Sequence, residues 1–184
     1  MAKAKKLPRK SAQKKRLSGA ALTKALKGLK VLILDIDGVL TDCRMFYTEP
    51  AGWGAFYSVL DGFGIKLLMR NGLEVCFISA GTFLSHKKRA EILGIKHAYF
   101  GDENKIIAFE KILNDLGVRA SECAYMGDEL FDIPVLERVG FSACPPHSTK
   151  KVLSLVNYVT KLPGGHGSVR EVCDLILRSQ GIDV

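Results

Sequence analysis

Acidic residues are missing from the first 30 positions of this chain, which carry eleven Lys or Arg. The net charge of +8 therefore belongs to an N-terminal arm, since the rest holds sixteen basic against nineteen acidic residues, a net −3. No apolar run is long enough to span a bilayer, and the N-terminus lacks the apolar centre of a signal peptide. A soluble protein without a membrane span is expected. The five cysteines (Cys43, Cys76, Cys123, Cys144, Cys173) contain no C-x-x-C pair, which removes the usual zinc and redox spacings. Three of them sit in apolar, strand-like runs, so reduced, buried thiols in a cytoplasmic setting are expected.

What is present begins with the arm. Residues 1–20 are read as a basic arm, disordered over its first part. Such a segment suits contact with nucleic acid or an anionic surface through phosphate groups, and equally a solvated tail. Residues 21–184 are read as one domain, with 47% hydrophobic residues to fill its core. Leu22, Ala25, Leu26 and Leu29 recur at helical spacing. Beyond them, Val31-Leu32-Ile33-Leu34 is apolar on both faces, the pattern of a central parallel strand. Aromatic-rich runs at 44–48 and 55–59 around a Pro/Gly loop predict a hairpin. Helices are expected over 62–71, 83–93, 103–116, 130–139, 148–155 and 169–178, and strands over 73–79, 97–100, 123–126, 141–144 and 158–160. Strands alternating with helices imply an α/β, doubly wound parallel sheet.

Chemistry gathers where those strands end. Asp35 and Asp37 are two apart, so both project from one side where the first strand meets Gly38. Two close, poorly hydrated carboxylates repel unless a cation compensates them, and a hard divalent metal does so. Ser79 ends the 73–79 strand, Lys105 opens a helix, and Gly127-Asp128-Glu129-x-x-Asp132 follows the 123–126 strand. In a parallel sheet these ends share one edge. A nucleophile, a hydroxyl, a cation and metal-binding carboxylates together suit phosphoryl transfer.

The ordered motifs D-x-D-G-V-L-T, Ser, Lys and G-D-x-x-x-D resemble those of the haloacid dehalogenase superfamily, with its Rossmann-like fold. Within it the chain is most similar to the capless 3-deoxy-D-manno-octulosonate 8-phosphate phosphatases of lipopolysaccharide synthesis. That likeness rests on 34–42, Asp61-Gly62-Phe63-Gly64-Ile65, Asn104-Lys105, 127–134 and 164–174. It implies Asp35 as nucleophile and Asp37 as general acid and base. Ser79 and Lys105 would hold the phosphoryl group. Asp35, the Asp37 carbonyl and Asp128 would hold Mg²⁺, with Asp132 in support, and Asp61, Gly81 and Arg170 would lie near the substrate. It further implies a phosphorylated sugar acid as substrate and a homotetramer, in which the hairpin flap and the Gly164–Gly167 loop help enclose a site that has no cap domain.

Two positions depart from the family pattern. Gly81 stands where relatives have the Arg of Thr-Gly-Arg, and His166 where they have the Arg of Gly-Gly-Arg-Gly. An Arg fork binds carboxylates bidentately, which Gly and neutral His do not. The same chemistry on another sugar phosphate, such as a nonulosonate 9-phosphate, is therefore a rival. Two non-enzymatic alternatives are a binding protein with a vestigial site and a signalling receiver domain; the latter lacks an Asp at the expected strand ends.

Overall fold

The structure is a computed structural model and describes residues 16–50 and 52–184. Most of the expected basic arm, 1–15, lies outside the described residues. The elements in order are α1 (Gly19–Lys27), β1 (Val31–Leu34), β2 (Met45–Thr48), β3 (Gly52–Ala55), α2 (Val59–Arg70), β4 (Glu74–Ser79), α3 (Leu84–Leu93) and β5 (His97–Phe100). There follow α4 (Lys105–Leu116), β6 (Cys123–Met126), α5 (Ile133–Leu136), β7 (Phe141–Cys144), α6 (Lys150–Leu155), β8 (Tyr158–Val159) and α7 (Ser168–Ser179).

Six strands form one parallel sheet in the order β5-β4-β1-β6-β7-β8. β1 lies inside it, and alternation along β1 feeds two cores. Leu32 and Leu34 pack with Leu26 of α1, Ile65 and Leu68 of α2 and Val172 and Ile176 of α7. Val31 and Ile33 pack on the other face with Phe109 and Ile112 of α4 and Val152 and Leu155 of α6. Burial on both faces explains why β1 carries no polar residue until Asp35. All five cysteines are free, four of them buried, and Cys43 is exposed. Among the described residues, no helix is long and apolar enough to cross a membrane.

Only the hairpin separates β1 from α2, and only α3 and β5 separate β4 from α4. Neither interval holds a cap domain, as the spacing predicted. The hairpin itself differs from the sequence reading. Its second strand is Gly52–Ala55, of which 52–54 fall in the expected loop and only Ala55 in the expected second run, and 56–58 lead into α2. Phe46 pairs with Gly54, and a Cβ at Gly54 would lie 2.7 Å from the Phe46 ring. The glycine read as loop punctuation is thus the space into which a cross-strand aromatic folds. The helix expected over 130–139 is also shorter, a 3₁₀ turn at Leu130–Asp132 followed by one α turn. Asp132 bends that turn by accepting from the N–H groups of Asp128 and Glu129.

Candidate active site

The end of β1 delivers Asp35, whose side chain is buried. Its Oδ1 accepts the Ile36 N–H at 2.7 Å, and its Oδ2 lies 2.7 Å from Lys105 Nζ. Lys105, the first residue of α4, is itself 1% exposed and reaches Asp132 Oδ1 at 2.7 Å as well. Asp132 is held from every side: the Tyr125 hydroxyl donates to Oδ1 at 2.6 Å, and two backbone N–H groups donate to Oδ2 at 3.0 Å. Asp132 therefore fixes the lysine that flanks Asp35. Burial alone would lower the Lys105 pKa, but Asp35 and Asp132 outweigh it and the net shift is upward.

Asp128, from the loop after β6, completes the group. One ligand oxygen from each of Asp35, Asp128 and Asp132 lies within 4.8 Å of the others. Among the described residues, Asp128 Oδ1 is buried without a hydrogen-bond partner, a costly state for a carboxylate oxygen unless a cation meets it. Burial, followed by repulsion from Asp132, raises the Asp35 pKa well above the carboxylate range. The same causes push Asp128 up to about 7. The donor set is all oxygen, so it fits a hard divalent cation.

Gly38 lets this happen. Its φ is +81°, and a Cβ there would sit 2.2 Å from Asp128 Oδ2. Gly38→Ala should displace the carboxylate and weaken Mg²⁺ binding by about 10- to 100-fold, read from a Mg²⁺ titration of activity and of melting temperature. An unchanged midpoint in both would place Asp128 outside the cation site.

The raised carboxyls also make stability depend on pH. A carboxyl whose folded pKa lies above its unfolded value stabilises the fold at acid pH, and that contribution is lost as pH rises through the folded value. Metal-free protein should thus melt at lower temperature at about pH 8 than at about pH 5. Asp128→Asn should flatten this dependence, and added Mg²⁺ should raise the melting temperature most at the alkaline end. Melting curves that are the same in slope for wild type and variant would contradict the assignment.

The other sequence-predicted residues divide. Ser79 is buried at the end of β4 and accepts the Gly81 N–H at 3.0 Å. Gly81 belongs to the centre, since a Cβ on it would lie 3.2 Å from Asp37 Oδ2. Asp61 does not join the carboxylates. It is fully buried, and its two oxygens accept from the N–H groups of Gly167 and Arg170, which pins the start of α7 to α2. Arg170 is tied to Asp174 at 2.6 Å, and its guanidinium lies over Phe63. In this structure both side chains are engaged between α2 and α7. The Gly164–Gly167 loop does border the site: Gly165 N–H donates to the Val39 carbonyl, and a Cβ at Gly164 would strike the Gly38 carbonyl at 2.0 Å. Three further residues border the site, none of which the sequence reading assigned a role there. His147 Nε2 donates to the Gly38 carbonyl at 3.0 Å. Cys43 has a left-handed backbone (φ 63°) and places Sγ 4.0 Å from Asp128 Oδ2. His86 touches both Ser79 and Asp37.

A profile of haloacid dehalogenase-like hydrolases matches residues 99–169. The 3-deoxy-D-manno-octulosonate 8-phosphate phosphatase of Escherichia coli K12 is 38% identical over 165 residues, covering 90% of this chain and 87% of that protein. This chain belongs to that phosphatase family. The crystal structure of the family member from Yersinia pestis superposes with a TM-score of 0.84 at 34% identity, covering 87% of this chain and 86% of the other. That from Moraxella catarrhalis, in complex with magnesium ion, phosphate ion and the octulosonate sugar acid, gives 0.84 at 32% identity over 87% and 92%. For a member of this family, the buried carboxylate cluster lies where the four sequence motifs converge.

Proposed function

We propose that this protein is a Mg²⁺-dependent phosphatase of 3-deoxy-D-manno-octulosonate 8-phosphate acting in the cytoplasm. The observation that carries the reading is the buried Asp35–Asp128–Asp132 group with Lys105 threaded through it and one Asp128 oxygen unpartnered. Asp35, Asp128 and the Asp37 carbonyl would hold Mg²⁺, which would supply positive charge to offset the carboxylates and the phosphoryl oxygens. Asp35 attacks phosphorus through a carboxylate oxygen, the bond to the sugar oxygen breaks, and Asp37 gives that oxygen a proton. Asp37 then takes a proton from the water that attacks the aspartyl-phosphate, releasing inorganic phosphate and restoring Asp35. Lys105 and Ser79 hold the phosphoryl oxygens through both displacements.

Substrate recognition rests on groups other than the two family arginines. The hairpin and the first turns of α2 expose Met45, Phe46, Tyr47, Trp53, Phe56, Val59 and Leu60. So large an apolar face on one flap is suited to burial against further copies of the chain, which supports a homotetramer enclosing the site. Phosphate release from the octulosonate 8-phosphate, a nonulosonate 9-phosphate and simple sugar phosphates tests the substrate. The reading expects the highest kcat/KM on the first, by at least about 10-fold. A preference for the nonulosonate would keep the chemistry and replace the substrate. Light scattering of the purified protein, with Trp53→Lys as the variant that dissociates it, tests the assembly.

A further inference from the structure

Asp37 has a task that needs orientation, yet its side chain is 38% exposed. The ion-pair partner that the structure gives it is His86, on the first turn of α3, with Nε2 3.3 Å from Asp37 Oδ1. The imidazole is fully buried, its Nε2 is not aligned as a hydrogen bond and has no other partner among the described residues, and its Nδ1 lies 3.5 Å from Ser79 Oγ. Phe83 meets the ring edge-on at 5.1 Å. The ring occupies space that only a glycine leaves free, because a Cβ at Gly81 would lie 2.9 Å from His86 Cε1 and 3.1 Å from Nδ1.

Resting on the proposed phosphatase reading, we infer that His86 is a positioning residue for Asp37, linking the carboxylate that moves the proton to the hydroxyl that holds the phosphoryl group. Hydrogen-bond polarity makes a consistent chain. The Gly81 N–H donates to Ser79 Oγ, leaving the hydroxyl hydrogen for His86 Nδ1. With Nδ1 turned to that hydroxyl, the ring presents its Nε2–H to Asp37. A donor at 3.3 Å and out of line in the free protein tightens when substrate orders the carboxylate, as catalytic hydrogen bonds commonly do. Gly81 is thus more than the loss of an arginine: its missing side chain gives His86 a seat.

The test separates proton transfer from packing. Protonating the leaving oxygen matters for an alkyl phosphate ester and little for an aryl ester whose leaving group is already stable as the anion. In kcat/KM, which reports the first displacement, His86→Leu should lose about 30-fold on the octulosonate 8-phosphate, a part of the roughly 10²–10⁴-fold that a positioned general acid supplies, because Asp37 itself remains. It should lose less than about 3-fold on p-nitrophenyl phosphate. His86→Gln, which keeps a donor near the Nε2 position, should recover most of the loss. Equal losses on both esters, no loss on either, or no rescue by Gln would overturn the positioning role. Wild-type protein inactive on both esters would overturn the phosphatase reading itself.

Discussion

Asp35→Asn is expected to abolish turnover, with a fall of at least about 10⁴-fold in kcat, because it removes the atom that takes the phosphoryl group rather than one that assists. The amide nitrogen cannot attack phosphorus, and the amide oxygen is a far weaker nucleophile than a carboxylate. The fold should survive. Burial raises the Asp35 pKa, and a neutral amide of the same shape fits that environment. Asn keeps an acceptor for the Ile36 N–H, and Lys105 keeps Asp132. Phosphate release together with a melting curve decides the matter: lost turnover with a melting temperature near that of wild type is the expected pair. Turnover within about 10-fold of wild type would remove Asp35 from the chemistry.

Lys105→Met should be the more damaging change to the protein as a whole. Nζ lies 2.7 Å from both Asp35 and Asp132, and all three side chains are almost wholly buried. Removing the cation leaves two facing carboxylates uncompensated, a loss of about 3–5 kcal/mol by analogy with broken buried ion pairs. For a domain of this size that corresponds to a drop of roughly 10 °C in melting temperature. Asp132 cannot relieve the strain by swinging away, since Tyr125 and two backbone N–H groups hold it. Activity should fall by about 10²–10³-fold, the scale for losing one preorganised donor to a developing anion. Added Mg²⁺ should restore part of the stability, because it supplies charge to the same carboxylates, but little of the activity. A Lys105→Met protein as stable as wild type in metal-free buffer would mean that the lysine is not the counter-charge.

The sheet and the catalytic edge were legible in the sequence for a definite reason. A strand buried on both faces writes a continuous apolar run, and the first polar residue after it marks the edge where function gathers; Asp35, Ser79 and Asp128 were found that way. Short-range spacing carried less information about long-range partners. Asp61-Gly62-Phe63-Gly64 looked like a substrate motif, but Asp61 is spent on the N–H groups that open α7, a partner far along the chain. Arg170 pairs one turn ahead with Asp174, a choice that a helical repeat permits but does not require. His86 was missed because it stands among Ser, Lys and Arg in a helix without a marked apolar stripe. Its only signal was the unusual glycine five residues earlier, and that was read as a deletion instead of as room. The hairpin register was hidden for the same reason, since Gly54 matters by what it leaves open to Phe46.

The central claim is that Asp35 carries the phosphoryl group, and acid-quenched single-turnover mass spectrometry tests it most directly. Wild-type protein with Mg²⁺ and the octulosonate 8-phosphate should show one added phosphoryl group on the peptide that contains Asp35, appearing before free phosphate and absent in Asp35→Asn. Phosphate release by wild type with no phosphoryl group on that peptide at any quench time, and with Asp35→Asn still active, would contradict the account.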